Sequence, residues 1–237
     1  MKRANCIISI CCMTMSLSAW SIGIGSVTTE MQEKQFYVTK DVTNDSPVAK
    51  FVTVEVQQVD NPFDMKVISK QHKDVLISPA TLFLPPHQTR GVKLYYQGER
   101  DAIERYYALS FIEQSLTSVS ETKPGASVSA KQRVRLSSVL VVRPRIIRFT
   151  FEQDGNGHVR NTGNTFLHVT ATGKCMEPGK KTLQPCSPSR FLLPGESVDM
   201  RRSKGLRELY GVGVWKGDDY HYFPLDKSTQ KISVPST

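Results

Sequence analysis

Two cysteines are the residues whose type and spacing most directly predict chemistry in this sequence. Cys175 and Cys186 are eleven positions apart, and a bridge between them would close a short loop, which stabilises a fold by about 2–3 kcal/mol on chain-entropy grounds. A metal site completed by His168 is the alternative, but this spacing matches no common zinc motif. The pair therefore predicts a disulfide, provided that the chain folds in an oxidising compartment.

No group of residues predicts catalysis. The sequence has no Gly-x-Ser-x-Gly elbow, phosphate-binding loop or paired-histidine metal motif. Its five histidines are scattered, and the adjacent carboxylates Asp218 and Asp219 would point to opposite faces of a strand. We therefore expect a protein that is not an enzyme and that needs no metal or other cofactor.

The first 21 residues predict a secretory signal peptide. Lys2 and Arg3 precede a short apolar run, and small residues follow near Ser21, where we place the cleavage site. An N-terminal membrane anchor is the alternative, although the run is short for a membrane span. Processing would remove the other three cysteines, which are Cys6, Cys11 and Cys12. Export would also provide the oxidising compartment that a disulfide requires, and we expect no membrane insertion after cleavage.

The chain is basic, with a formal net charge of +9. Loss of Lys2 and Arg3 would lower that charge to +7, because no acidic residue leaves with them. A basic surface can attract nucleic acid, an anionic membrane or acidic proteins. Export argues against nucleic acid, and we interpret most of these charges as a solvated surface.

Short runs of β-branched and aromatic residues, separated by proline and glycine turns, predict an all-β fold. The clearest runs lie at residues 36–39, 51–56, 92–96 and 106–112, and residues 146–151 would begin a second set. Arg143-Pro144-Arg145 interrupts the pattern, and we place the domain junction there. The length of 237 residues suits two sandwich domains, residues 22–145 and residues 146–237.

Residues 128–142 form an unusually long alternating segment. Its even positions are mostly apolar, and its odd positions are polar or basic up to Ser137. Alternation of this kind places the even set on one face of a strand. Since a usual strand has about 5–6 residues, part of this one would extend past its own sandwich. Its exposed edge and apolar face could then add as a strand to a partner, with backbone hydrogen bonds for affinity and alternate side chains in a groove. The alternative is a long core strand that serves only its own domain.

Several segments resemble periplasmic pilus chaperones of the chaperone–usher family. ISPATLFLP at residues 77–85, with Gln88, is similar to the strand–proline–strand signature of that family. Residues 94–98, 104–107, 110–111, 139–145 and 161–165 are closest to the common-pilus branch, and the two cysteines fit that branch as well. The similarity spans most of the chain after the signal peptide.

The resemblance implies two immunoglobulin-like domains in a boomerang arrangement. It also implies donor-strand complementation, in which the last strand of the first domain completes a pilus subunit in the periplasm, before an outer-membrane usher receives the complex. The loop at residues 115–127 would order partly on binding, and the chaperone could self-associate when unliganded. The side chains facing the subunit would be Val128, Ala130, Val134, Leu136 and Leu140.

A carboxylate anchor does not transfer directly from the family. Its best-known members hold the terminal carboxylate of the subunit with two basic residues, one of them four positions before the Arg-Pro junction. In this sequence that position is Val139, which carries no charge. Lys40, Arg143 and Arg145 are the nearest basic candidates, and a guanidinium suits a bidentate carboxylate contact. For each candidate the alternative is a surface or inter-domain salt bridge.

A structural pilus subunit or a secreted adhesin is the second hypothesis for function. A subunit would need a free donor extension at its N-terminus. Residues 22–27, at the predicted mature start, are short and interrupted by glycine, which favours the chaperone.

Overall fold

A computed structural model describes residues 21–69, 73–115, 133–217, 219–225 and 230–233. The described part is almost entirely β-structure, which confirms the predicted all-β class. Residues 1–20 of the predicted signal peptide and residues 116–127 of the predicted loop at 115–127 lie outside the described residues.

The strands fall into two groups along the chain. The first group is β1 Ile22–Gly23, β2 Thr28–Met31, β3 Tyr37–Asn44, β4 Lys50–Val59, β5 Val67–Ser69, β6 Val75–Ser78, β7 Thr81–Leu84, β8 Thr89–Tyr96, β9 Arg105–Ser115 and β10 Arg133–Val142. The second group is β11 Thr150–Gln153, β12 His158–Asn161, β13 Leu167–Cys175, β14 Gln184–Cys186, β15 Ser189–Leu192, β16 Ser197–Asp199, β17 Leu206–Lys216, β18 Asp219–Pro224 and β19 Gln230–Ser233. A 3-10 turn, Met200–Arg202, follows β16.

The first group forms a sandwich of two sheets. One sheet has the order β1-β3-β8-β6, and the other has the order β2-β10-β9-β4-β5, with β7 also paired to β4. Alternate residues of each strand point inward, as the period of two requires. Leu94, Tyr107, Phe111 and Leu140 are fully buried in the core between the sheets.

The second group forms another sandwich. Its sheets have the orders β16-β12-β11-β19 and β14-β13-β17-β18, and β15 also pairs with β13. Phe151, Leu167, Val169 and Met200 fill the core between them. Cys175 and Cys186 form a disulfide between β13 and β14, with Cα atoms 5.7 Å apart, which confirms the predicted pairing.

The first strand of the second sandwich begins later than the sequence predicts. Residues 146–151 read as one strand, but β11 starts at Thr150. The side chain of Asn164 accounts for the difference. It donates to Ile146 O at 2.8 Å and accepts from Arg148 N at 2.6 Å, so these backbone groups are satisfied outside a sheet.

A third hydrophobic cluster lies between the two sandwiches. Val139 and Val141 of β10 contribute to it with Tyr106, and Phe166 and Leu193 of the second sandwich pack against it. The second half of β10, residues 139–142, therefore has both faces covered. Its own core covers one face, and the other domain covers the other.

Candidate functional site

Strand β10 has one edge that is only partly paired. It pairs antiparallel with β9 along its whole length, from Arg133 to Val142. On its other side it pairs with β2, in parallel, only from Val139 to Val142. Among the described residues, the outer edge from Arg133 to Ser138 has no neighbouring strand, and we name this stretch the open edge.

The backbone groups of the odd-numbered residues point towards this side of β10. Val139 N donates to Val27 O at 2.8 Å, and Arg143 N donates to Met31 O at 3.0 Å. Because N–H and C=O groups of alternate residues point the same way along a strand, those of Arg133, Arg135 and Ser137 point outward along the open edge. A row of this kind is a template for strand addition.

The side chains of the open edge divide into two sets. Arg133, Arg135 and Ser137 are exposed, and Arg135 lies 3.6 Å from a carboxylate oxygen of Glu55. Val134 and Leu136 are half-buried, because they face the inner side near the end of the sandwich. Leu136 packs against the first core. Such charges discourage nonspecific pairing of an edge, while its apolar positions remain partly accessible.

The structure separates the five predicted subunit-facing residues. Val134 and Leu136 lie on the open edge, and Val128 and Ala130 lie outside the described residues. Leu140 is fully buried in the core and lies beside β2. Its side chain is therefore covered by its own domain and is not accessible to a partner in the free protein.

A buried ion pair supports the sheet next to the open edge. Lys50 Nζ lies 2.9 Å from Glu113 Oε1, and both side chains are at least 96 % buried. The second oxygen of Glu113 accepts from Ser21 Oγ at 3.0 Å and from Ile22 N at 2.9 Å. Glu113 lies directly opposite Val134 in the ladder, so this pair joins the beginning of the described chain to the strand that borders the edge.

Lys40 lies near the end of the open edge, where β2 begins. Its side chain enters the first sandwich from β3, and Nζ donates to Ser26 O at 2.5 Å and to Thr29 Oγ1 at 3.2 Å. Thr29 is paired with Leu140. Within the described part of the chain, no carboxylate oxygen lies within 4.0 Å of Nζ. Burial lowers the pKa of Lys40, because removal from water disfavours the charged ammonium.

Arg143 belongs to a polar network between the domains. Its guanidinium donates to Glu30 Oε2 at 2.9 Å and lies 3.6 Å from Glu104 Oε2. It also donates to Thr165 Oγ1 and packs over the ring of Phe166 at 3.8 Å. Both ion pairs join Arg143 to residues of its own domain, whereas its contacts with Thr165 and Phe166 cross to the second domain.

Arg145 is held by backbone carbonyl groups of the first domain. Its guanidinium donates to Gln32 O at 2.8 Å and to Glu33 O at 2.7 Å, and it lies over the ring of Tyr96. Of the three predicted anchor candidates, Lys40 alone lies beside the open edge. Arg143 and Arg145 follow β10 at the domain junction.

Glu104 is a buried residue whose role the sequence did not reveal. It accepts from Tyr106 Oη, from Thr165 Oγ1 and from Phe166 N, and the last two lie in the second domain. Burial raises the pKa of Glu104. In the sequence it appears only as part of a family-like segment. No local pattern indicates a partner that lies 61 positions away.

Two other kinds of feature are absent from the described residues. No group of three or more His, Cys, Asp or Glu side chains is placed to hold a metal ion there. In the same part of the chain, no helix has the length and apolar character to cross a membrane.

Sequence comparisons agree on one group of relatives. Residues 149–222 match the family model described as the EcpB C-terminal domain. The "Probable fimbrial chaperone EcpB" of Escherichia coli (strain K12) is 28% identical over 209 residues, covering 85% of this chain and 90% of the relative. The protein of the same name from Shigella boydii serotype 4 (strain Sb227) gives the same values.

Structural comparison supports the fold. The crystal structure of the class 5 fimbriae chaperone CfaA matches with a TM-score of 0.52 at 12% identity, covering 91% of this chain and 100% of CfaA. A chaperone–tip adhesin complex of CFA/I fimbriae matches with a TM-score of 0.51 and the same identity and coverage. The expectation of two immunoglobulin-like domains is thereby confirmed. By sequence and fold together, the chain is similar to fimbrial chaperones such as EcpB and CfaA.

Proposed function

We propose that this protein is a periplasmic chaperone that holds a fimbrial subunit by pairing the open edge of β10 with it. The subunit would be an incomplete sandwich that lacks one strand, and β10 would supply that strand until an outer-membrane usher receives the complex. The role is binding rather than catalysis. The predicted signal peptide and the Cys175–Cys186 disulfide support a periplasmic location, since disulfides persist in that compartment.

The observation that carries the proposal is the uneven pairing of β10. Six residues, from Arg133 to Ser138, have a complete ladder with β9 and an outer edge without a neighbour in the described part of the chain. We call the strand of the bound subunit that would pair with β10 the guest strand. Each of Arg133, Arg135 and Ser137 offers one N–H and one C=O group to it. Roughly six hydrogen bonds at about 0.5–1.5 kcal/mol each give about 3–9 kcal/mol, before the entropy cost of association is subtracted.

The apolar side chains of the edge add to this binding energy. Val134 and Leu136 are half-buried in the free protein, so a guest can still cover the remainder of each. Complete burial of such a side chain is worth about 1.5–3 kcal/mol. Here the contribution is smaller, because each side chain is already partly covered.

Lys40 is the anchor candidate that the geometry favours. A guest strand that runs parallel to β10, as β2 does, would end near Ser26 and Thr29, where Lys40 Nζ already donates. A terminal carboxylate at this point would meet a buried ammonium that has no acidic partner within the described residues. A charged hydrogen bond of this type is stronger than one to a neutral acceptor.

The test is a proline in place of Arg135. The N–H of Arg135 points outward, so the R135P variant loses an edge donor and keeps its own ladder with β9. R135A is the matched control, because it removes the same side chain and its contact with Glu55 but retains the N–H. We expect R135P to lose subunit capture in periplasmic co-purification and R135A to retain it. Equal capture by both variants, with equal thermal stability, would exclude the open edge as the binding element.

The second hypothesis, a structural pilus subunit or adhesin, receives no support. The relatives that match along most of the chain carry the name of a fimbrial chaperone.

A further inference from the structure

A row of aromatic side chains crosses one face of the second domain. Phe191 of β15, His168 of β13, Trp215 of β17 and Tyr220 of β18 are direct neighbours in the ladders. Their ring centroids are 4.6, 6.2 and 4.7 Å apart in that order. Leu192, Val169 and Val214, which are sequence neighbours of the first three, point into the core. We name these four residues the aromatic band.

The backbone of β17 is adapted to this surface. Gly213 lies under the ring of Tyr220, and a Cβ atom built on that glycine would fall 2.1 Å from the ring. Gly211 is related to Tyr222 in the same way, at 2.4 Å. Any larger residue at either glycine would therefore displace a ring. The two tyrosine rings lie against the sheet because the sequence places glycine at alternate positions.

The aromatic band is incompletely covered by its own chain. Phe191 is 48% exposed and Tyr220 is 41% exposed. Contiguous exposed apolar surface of this kind marks interaction sites, and aromatic residues are enriched in the centres of protein interfaces. Burial lowers the pKa of His168, which favours the neutral imidazole over its charged form.

The position of the band indicates its partner. Phe191, His168 and Trp215 line a cleft of about 510 Å³ whose other wall includes Glu30 of β2 and Arg143. β2 and the open edge lie on the same side of β10, so the cleft opens on the side where a guest strand would pair. From Ser138 to Arg143 the distance is about 17 Å at 3.3 Å per residue. A folded domain of 100 residues has a radius of gyration of about 13 Å and would span that distance.

We infer that the aromatic band is a second contact surface for the same fimbrial subunit that pairs with the open edge. This inference rests on the proposed function. A subunit that lacks a strand exposes apolar core, and it would cover the rings of the band while its edge pairs with β10. Burial of large aromatic side chains at the centre of a contact often dominates its binding energy.

Two serine variants test the inference. F191S/Y220S removes the two exposed ends of the band. Y210S is the matched control, because Tyr210 is on the same sheet, is 45% exposed and does not line the cleft. The probe is the fimbrial subunit that co-purifies with the wild-type protein, identified by mass spectrometry. We expect F191S/Y220S to weaken its binding at least about tenfold, as loss of interface anchors does, and Y210S to leave it unchanged.

Trp215 provides a second readout. The other tryptophan, Trp20, lies in the predicted signal peptide, so Trp215 is the one tryptophan of the processed chain. We expect its emission to shift to shorter wavelength when the subunit binds, measured as the difference between the wild-type and W215F complexes. Wild-type affinity of F191S/Y220S together with unchanged Trp215 emission would overturn the inference.

The outcomes separate the two proposals. If R135P abolishes capture and F191S/Y220S binds the subunit with wild-type affinity, the open edge stands and the band is not a subunit contact. If Trp215 emission follows the concentration of the chaperone itself and not that of the subunit, a second copy occupies the band, which also overturns the inference. If the wild-type protein captures no fimbrial subunit, both proposals fail.

Discussion

At the scale of single residues, the least compensated group of the binding region is the ammonium of Lys40. It is 95 % buried and donates to one carbonyl and one hydroxyl oxygen. A buried charge without a counter-ion is costly, and its pKa moves towards the neutral form. A carboxylate supplied by a subunit would relieve that cost.

We expect K40M to weaken subunit binding several-fold, because the charged partner of the subunit carboxylate is removed. The measurement compares a normal subunit with one whose terminal carboxylate is amidated. K40M should reduce affinity for the first and have little effect on the second. Equal losses of affinity for both subunits would mean that Lys40 only stabilises the segment near Ser26, where the chain crosses from β1 in one sheet to β2 in the other.

The ion pair of Lys50 and Glu113 is a second residue-scale feature, and its contribution is to stability. We expect K50M to lower the free energy of unfolding by about 3–5 kcal/mol, because it leaves the carboxylate buried without a partner. K50M/E113Q should recover much of that loss, since no uncompensated charge remains and an acceptor for Ile22 N is retained. Urea denaturation measures both variants. A cost below about 1 kcal/mol for K50M would contradict this account.

At the scale of elements, the account depends on β10 having two different halves. Residues 139–142 are covered by β2 and by the second domain. In the described part of the chain, residues 133–138 pair on one side only, with β9. Such an arrangement lets one strand serve its own core and still offer an edge to a partner.

We expect V134D/L136D to abolish subunit capture, because two charges would enter the apolar contact with the guest strand. Leu136 also packs against the first core, so the thermal midpoint of the variant must be measured alongside. F51D/F83D is the control, since these residues are 40% and 50% exposed on the outer face of the same sheet. Normal capture by a folded V134D/L136D protein would remove both side chains from the site.

The sequence predicted the alternation of β10 but not the extent of its open edge. The period of two placed Val134 and Leu136 on one face of the strand, and the family resemblance assigned that face to the subunit. The end of the open edge is set by where β2 joins β10, after a crossover from the other sheet at residues 24–27. This crossover depends on packing between the two sheets. The alternation of residues along one strand carries no information about that packing. For the same reason the sequence placed Leu140 on the binding face and missed the contacts of Glu104.

At the scale of the whole molecule, the junction between the domains is held by polar contacts as well as by apolar packing. Arg145 N and Ile146 N donate to Asp101 O at 2.8 and 3.3 Å. The side chain of Asp101 accepts two hydrogen bonds from Arg105, at 2.7 and 2.6 Å. The position of the second domain therefore depends on a surface loop of the first.

The pair of Asp101 and Arg105 predicts a pH dependence of stability. Hydrogen bonds from Arg105 lower the pKa of Asp101 from 3.8 to about 2. A depressed carboxyl pKa stabilises the fold above the unfolded value of 3.8, and this contribution is lost as the pH falls towards about 2. We expect D101N to be less stable at neutral pH and to lose less stability across that window. Parallel unfolding curves of wild type and D101N from pH 4 to pH 2 would contradict the prediction.

Hydrogen exchange of the β10 amides tests the central claim most directly. In the free protein, the amides of Arg133, Arg135 and Ser137 should exchange rapidly, whereas that of Val139 should be protected by its bond to Val27 O. With a fimbrial subunit bound, we predict strong protection of the first three amides and little change at Val139. A stable complex in which Arg133, Arg135 and Ser137 still exchange at the free rate would contradict the account.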